Sequence, residues 1–228
     1  MEQQTVTTET EQVRKPSLLG MIFSPGEQFD RIRMKPIVLV PLLIVVILGT
    51  LIAFLVVSST DYSAVLTEQG LPAEGEEAAA FQLITQLTGV IGGIIIVPLV
   101  ILISAAIYFA VTKIAGSDVS FKQIFSLSIF LSFISTLGGV LNTLLAAALN
   151  LDPEVYLTSL QSLVGAEGAL GGILSGIEVF SIWVTVLSAL GLQKVAGLSK
   201  TASWVIAIIL FIGGLILAAA GGAFEGAL

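Results

Sequence analysis

Five long runs of hydrophobic residues alternate with shorter polar segments along the chain. Each run contains roughly 20 residues or more, the length that an α-helix needs to cross a bilayer core of about 30 Å. One such run could be a buried helix of a soluble protein. Five in succession predict an all-α fold, an integral membrane bundle of five transmembrane helices with short interfacial helices. The predicted spans are residues 37–58, 87–112, 123–149, 170–191 and 203–222.

The composition agrees with lipid as the main solvent and removes most chemistry. Hydrophobic residues make up 56% of the 228 residues and charged residues 11%, whereas soluble domains carry roughly 25% charged residues. The chain has neither cysteine nor histidine, so thiolate metal sites, thiol nucleophiles and the commonest general base are absent. The sequence also has no phosphate-binding loop. We therefore expect no enzymatic activity, no cofactor and no metal.

The basic residues fall in alternate polar segments, and this predicts the orientation. Cytoplasmic segments of membrane proteins are enriched in Lys and Arg. Segments 59–86 and 150–169 and the C-terminal tail hold acidic residues and no basic one. We therefore predict a cytoplasmic N-terminus and an extracellular C-terminus. The basic residues are too few and too scattered for a nucleic-acid site; they are Arg14, Lys15, Arg31, Arg33, Lys35, Lys113, Lys122, Lys194 and Lys200.

The chain divides into three predicted parts. Residues 1–16 are rich in Thr, Glu and Gln and are typical of a disordered cytoplasmic tail. Residues 17–36 form a cytoplasmic interfacial segment, and residues 37–228 form the transmembrane domain. On the outer side, Asp152 and Pro153 predict the start of a short surface helix that ends at Gly165. That helix would carry Tyr156, Leu160 and Leu163 on one face.

The interfacial segment combines apolar and basic residues. Residues 24–27 read Ser-Pro-Gly-Glu, a capping-box pattern with proline at the first helical position. Phe29 and Ile32 then share one face of the helix, which predicts contact with the membrane surface. An ordinary linker before the first span is the alternative. The basic residues expected to reach anionic lipid headgroups are Arg31, Arg33 and Lys35.

Glu178 is the only ionisable side chain well inside a predicted span. At 100° per residue, Ser175, Ser181 and Thr185 lie within about 80° of it, so the fourth helix carries a polar stripe. A carboxylate at membrane depth costs on the order of 2.5–3.5 kcal/mol. We therefore expect Glu178 to be mainly protonated and to face the third or fifth helix, with Asn142 as a plausible partner.

Several roles for this polar stripe remain open. A structural acid would tie helices together, and a Glu178→Gln change should then be tolerated. A proton or substrate relay, or a contact to a partner subunit, would make the same residue functional. A hydrated position close to the outer surface would give it neither role.

Small residues recur every four positions on the fourth and fifth helices. This spacing lets two helix backbones approach closely and most often indicates helix packing rather than a ligand groove. The predicted packing residues are Gly168, Gly172, Gly176, Gly214, Ala218 and Gly222.

Three segments resemble the Yip family of polytopic membrane proteins. They are FSPGEQFDRIRMKP at 23–36, KIAGSDVSFKQIFSLSIFLSF at 113–133 and IWVTVLSALGLQKVAGLSKTAS at 182–203. The resemblance runs from about residue 17 to the end of the chain. Each motif is weak by itself, but their order and spacing match the five predicted spans. The compact chain is most similar to the bacterial branch, and Glu178 corresponds to no motif of the family.

The resemblance implies a multi-pass protein of a bacterial plasma membrane. Relatives of the bacterial branch lie beside ABC exporters in bacilli. The implied function is a non-enzymatic accessory protein that assists the assembly or action of a partner membrane complex, with an ABC-type exporter in cell-envelope defence as the suspected partner. The alternatives are a small transporter or channel using the polar stripe around Glu178, and a membrane-shaping protein. A homo-oligomer is compatible with all three.

Overall fold

The computed structural model describes residues 14–60, 62–68, 70–151 and 155–225, and this part of the chain is an all-helical bundle. Most of the predicted disordered tail and the Asp152–Pro153 pair lie outside the described residues. The helices are α1 (Gly20–Phe23), α2 (Pro25–Met34), α3 (Leu39–Ser59), α4 (Ser63–Glu68), α5 (Glu76–Ile114), α6 (Phe121–Leu149), α7 (Leu160–Val164), α8 (Gly168–Gly176), α9 (Val179–Lys194) and α10 (Lys200–Glu225).

Four of these helices, α3, α5, α6 and α10, are long and apolar enough to cross a membrane. They contain the first, second, third and fifth predicted spans almost entirely. Their ends differ from the predicted ends by a few residues, except that α5 begins at Glu76, eleven residues before the predicted start. The fourth prediction, a continuous helix over 170–191, is wrong, because the chain breaks between Gly176 and Val179. The second piece, α9, has 16 residues and is only about 24 Å long.

Helix α6 lies at the centre of the bundle. It packs against α3, α5 and α9, and 56% of its apolar 18-residue stretch is buried. Helix α10 packs mainly against α8 and α9, and only 6% of its corresponding stretch is buried. The sequence explains this difference, since α6 has the lowest mean hydropathy of the four long helices, 2.0 against 2.6 to 3.1. A helix with more polar residues is best placed away from lipid. The Ser120 hydroxyl accepts from the Gln123 backbone N–H in a capping box that starts α6.

One end of the bundle, the basic end, brings all three basic segments of the sequence together. Lys194 Nζ lies 2.6 Å from Asp30 Oδ2, and Gln123 Nε2 donates to the Arg33 carbonyl oxygen at 2.7 Å. The Ser117 hydroxyl donates to the carbonyl oxygen of Ala196. These bonds join α2, the α5–α6 connection and the α9–α10 connection.

Helices α1 and α2 form a platform on the basic end. Met21, Phe29 and Ile32 are completely buried against the bundle. The shared face of Phe29 and Ile32 therefore packs on protein, and the prediction that this face contacts lipid is wrong. Helix α2 begins at Pro25, as predicted, but the capping box is absent: the Ser24 hydroxyl bonds to Gly20 instead.

The opposite end of the bundle, the distal end, carries the short helix α7. It begins at Leu160, where the Ser159 hydroxyl accepts from the Ser162 backbone N–H, and ends at Gly165 with a φ of 65°. The predicted end at Gly165 is therefore confirmed. The predicted start is wrong, and Tyr156 precedes the helix, because the cap that starts it is Ser159.

Candidate intramembrane site

The chain break between α8 and α9 is built around Glu178. This residue is the N-cap of α9, and its carboxylate accepts from the backbone N–H groups of Phe180 and Ser181. The Ser181 hydroxyl accepts in return from the backbone N–H of Glu178 at 3.1 Å. Residues 168–176 include four glycines, and glycine weakens a helix. The local sequence therefore favours ending α8 and restarting the helix at a strong cap.

A hydrogen-bonded chain links Glu178 to the central helix. Asn142 Nδ2 on α6 donates to the Thr158 hydroxyl at 2.9 Å, and this hydroxyl donates to Glu178 Oε2 at 3.0 Å. The Asn142 side-chain oxygen accepts from the Thr158 backbone N–H at 3.0 Å. Asn142 and Glu178 therefore belong to one network, but they are joined through Thr158 rather than by direct contact.

Segment 158–160 provides hydrogen-bond partners for backbone groups that the helix break leaves without an intrahelical partner. The Leu160 backbone N–H donates to the Ile177 carbonyl oxygen at 3.0 Å, and Ser159 and Glu178 form an isolated antiparallel bridge. Unwound backbone at membrane depth is tolerated only where other protein groups satisfy it. Segment 158–160 supplies these groups.

The predicted polar stripe does not exist as one helix face. Ser175 lies on α8, where its hydroxyl donates to the Gly172 carbonyl oxygen. Thr185 lies on α9 and donates to the Ser181 carbonyl oxygen. Ser181 is the only one of the three that contacts Glu178. The stripe was inferred from a continuous helix, and the break at 177–178 removes that geometry.

Thr158 is the residue of this network that sequence reasoning missed. It lies in a polar loop 16 residues from Asn142 and 20 residues from Glu178. No periodicity connects a loop residue to positions so far away, so no local signal could have revealed it. The site also affects the nearby Tyr156. The pKa of its hydroxyl is raised above the usual value, mainly by burial and secondly by the charge of Glu178.

All three hydrogen bonds to the Glu178 carboxylate use its oxygens as acceptors. An ionised carboxylate is an acceptor only, and it suits a helix N-terminus, where the dipole favours negative charge. The geometry therefore fits a structural helix cap. Within the described part of the chain, no group of acidic side chains has metal-binding geometry.

The small residues of α8 meet α10 near the distal end. A Cβ atom on Gly172 would collide with the Ala218 carbonyl oxygen, and one on Gly222 would collide with the Gly168 carbonyl oxygen. A Cβ atom on Gly176 would lie 2.7 Å from the Leu215 side chain, which is also too close. Gly214 is different, because a Cβ atom there would meet nothing within 4 Å. The predicted packing role of Gly214 is therefore wrong.

The three basic residues expected at lipid headgroups have different environments. Arg31 pairs with Glu27 on the same helix. Arg33 Nη1 lies 3.4 Å from the Lys194 carbonyl oxygen, a long contact. The Lys35 side chain is exposed.

Comparison with known protein families matches residues 19–221 to the Yip1 domain. The chain is also 43% identical over 200 residues to the protein named "Membrane protein YknW" of Bacillus subtilis (strain 168), and the matched region covers 86% of each chain. No solved structure matches the chain.

Proposed function

Since the chain belongs to the Yip1 family of membrane proteins, we propose that it is a non-enzymatic accessory protein that holds a partner membrane complex through its cytoplasmic platform. An ABC-type exporter in cell-envelope defence is the partner that the resemblance to bacterial relatives suggests. Yip family membrane proteins are not known as enzymes. The proposal also places this chain in the plasma membrane of a bacterium.

The observation that carries this proposal is the exposed Phe23 on a platform whose opposite face is buried against the bundle. Phe23 is 84% exposed, although Met21, two residues earlier, is completely buried. Gln28 ties α2 to the segment that precedes α1, since its side-chain oxygen accepts from the Ser17 backbone N–H at 2.9 Å. A rigid element that presents a large aromatic side chain is the kind of anchor that dominates protein interfaces.

Replacement of Phe23 by a photo-crosslinking phenylalanine analogue tests this proposal in native membranes. We expect one protein to be crosslinked specifically, and we expect Phe23→Ser to reduce its copurification about tenfold, which corresponds to 1.4 kcal/mol. The Phe23→Ser variant should keep the wild-type melting temperature because the side chain packs on nothing. A matched control is the same analogue at Leu217 on α10, which is 75% exposed. Crosslinking to lipid alone at both positions would contradict the proposal.

We also propose five membrane crossings, with α8 and α9 together as the fourth. Thr158 and Glu178 lie near the distal part of α6, whereas Lys194 lies at the basic end beside Asp30. The broken pair therefore runs from one end of the bundle to the other. Because cytoplasmic segments are enriched in basic residues, the basic end would face the cytoplasm, the N-terminus would be inside and the C-terminus outside.

Single-cysteine labelling tests this topology in a chain that has no cysteine of its own. Leu163 on α7 and Ile114 at the end of α5 are matched in exposure, at 80% and 86%. We expect a membrane-impermeant maleimide added outside to label Leu163→Cys strongly and Ile114→Cys only after the membrane is opened. Strong external labelling of Ile114→Cys would reverse the orientation.

A small transporter or channel is the second candidate, and the broken helix favours it. Discontinuous helices near the middle of the bilayer form the substrate sites of many transporters, where the N-terminus of a half-helix binds an anionic group. Here the N-terminus of α9 already holds the protein's own carboxylate, Glu178. This occupancy supports the accessory role over transport, and Glu178→Gln, discussed below, separates the two.

A further inference from the structure

Two cavities follow one another along the same side of α10. The cavity nearer to the basic end, here the lower cavity, has a volume of about 340 Å³. On α10 it is lined by Ala207, Leu210, Phe211, Gly214 and Leu215. The outer cavity has a volume of about 780 Å³ and is lined on α10 by Ala218, Gly221 and Gly222. These positions recur at intervals of three or four residues, so they share one helix face.

The facing walls show the same continuity. On α6, Ser135 borders the lower cavity and Asn142 the outer one, and two turns separate them. On the broken helix, Gly176 borders the lower cavity and Ser175 the outer one. The two cavities therefore lie one above the other in one cleft between α10 and α6, with α9 as the floor of the lower compartment and α8 as the floor of the outer compartment.

We infer that this cleft binds one phospholipid of the outer leaflet, with a hydrocarbon chain in the lower compartment and an ammonium-bearing head group in the outer compartment. A cleft open to the hydrocarbon region of a bilayer is filled by lipid chains or by protein, since water is absent there. The inference does not depend on the accessory role proposed above, but the choice of the outer leaflet rests on the proposed topology.

The size of the lower compartment selects a chain over a helix. An α-helix with its side chains is about 10 Å across, so the stretch from Ala207 to Leu215 would need on the order of 1,000 Å³ to hold one. The lower compartment offers about 340 Å³. A whole helix therefore cannot lie inside the compartment, whereas a hydrocarbon chain can.

The charges around the outer compartment select the head group. Its polar lining comes from Asn142, Thr143, Tyr156, Gln161, Glu167 and Ser175, with no basic residue among the lining side chains. The basic segments 31–35, 113–122 and 194–200 meet at the other end of the bundle. A phosphate without a positive group would find no positively charged partner among the lining side chains, whereas an ammonium group would be attracted to the Glu167 carboxylate.

Adjacent glycines on α10 provide a matched test. A Cβ atom on either Gly213 or Gly214 meets nothing within 4 Å, but only Gly214 lines the lower compartment. The Gly214→Leu variant therefore starts its side chain in open space that belongs to the cleft, and Gly213→Leu adds the same side chain outside it. The full-length protein would be reconstituted in nanodiscs of equal phosphatidylethanolamine and phosphatidylglycerol, extracted into mild detergent and examined by native mass spectrometry.

We expect wild type and Gly213→Leu to retain one phosphatidylethanolamine each. Retention by Gly214→Leu should be about tenfold lower, because the leucine displaces part of the hydrocarbon chain and the lost burial of roughly two methylene groups corresponds to that factor. Equal retention by both leucine variants, preferential retention of phosphatidylglycerol, or a lipid-free dimer that only Gly214→Leu dissociates would each overturn the inference. If Gly214→Leu lowers the melting temperature, Ser135→Leu fills the compartment from the exposed opposite wall and is judged by the same criteria.

Discussion

Replacement of Glu178 by Leu is expected to lower the free energy of unfolding by about 2–3 kcal/mol, because a helix cap and a half-buried hydrogen-bonding partner are lost together. The carboxylate closes the N-terminus of α9 through the backbone N–H groups of Phe180 and Ser181 and also accepts from the Thr158 hydroxyl. Leucine can do none of this. Equilibrium unfolding in mixed detergent micelles, followed by circular dichroism, measures the loss.

The geometry also changes what a Glu178→Gln variant should do. An amide side chain has one acceptor oxygen, whereas the Phe180 and Ser181 N–H groups are held by different oxygens of Glu178. In the variant, one of these N–H groups would face the amide NH₂. The sequence favoured tolerance of Gln, but the structure predicts a loss of about 1–2 kcal/mol from the unsatisfied N–H group.

Two controls make this prediction specific. Glu167 is the N-cap residue of α8, but its side chain makes no capping hydrogen bond and is exposed. Glu167→Gln should therefore change the free energy of unfolding by less than about 0.5 kcal/mol. Thr158→Val removes the hydroxyl that bridges Asn142 and Glu178 but leaves the Phe180 and Ser181 N–H groups capped, and it should cost about 1 kcal/mol. A Glu178→Gln protein with wild-type stability and lost activity would instead support the transport function.

The hydrophobic pattern predicted most of the bundle because each span must satisfy lipid along its own length. A run of roughly 20 apolar residues needs no distant partner to be stable as a helix in a bilayer. The prediction of a continuous fourth helix was wrong because it too considered only the residues of its own run. The break at 177–178 is stable only because Thr158, Ser159 and Leu160 supply hydrogen bonds from a separate loop. Hydropathy contains no information about such a partner.

The platform shows a second limit of the pattern. Phe29 and Ile32 were correctly assigned to one apolar face, but an apolar face can pack on lipid or on protein. The complementary surface is assembled from α6 and α9, including Leu127 and Gly191. A Cβ atom added to Gly191 would lie 3.4 Å from the Phe29 ring. The choice between lipid and protein depends on that assembled surface, which no single helix reveals.

Spacing alone also could not separate the small residues of α10. Gly214, Ala218 and Gly222 share one face, but α8 reaches only the distal part of α10. Ala218 and Gly222 meet Gly172 and Gly168 there, whereas Gly214 borders the lower cavity. A four-residue repeat therefore indicates a face that permits close approach, and the length of the opposing helix decides where the approach occurs.

Gly222→Ala should separate the α8–α10 pair and lower the free energy of unfolding by about 1–3 kcal/mol, the usual cost of forcing extra volume into a packed contact. The added methyl group would overlap the Gly168 carbonyl oxygen and lie 3.0 Å from the Gly172 backbone nitrogen. Backbone atoms cannot turn away as a flexible side chain can, so the helices must move apart.

The neighbouring residue supplies the control for this prediction. Gly221 lies on the same helix, and a Cβ atom there meets nothing within 4 Å. Gly221→Ala should therefore leave the free energy of unfolding unchanged or raise it by up to about 1 kcal/mol through better helix propensity. Unfolding of both variants in mixed micelles compares them directly. Equal stability of the two variants would mean that α8 and α10 do not approach closely at Gly222.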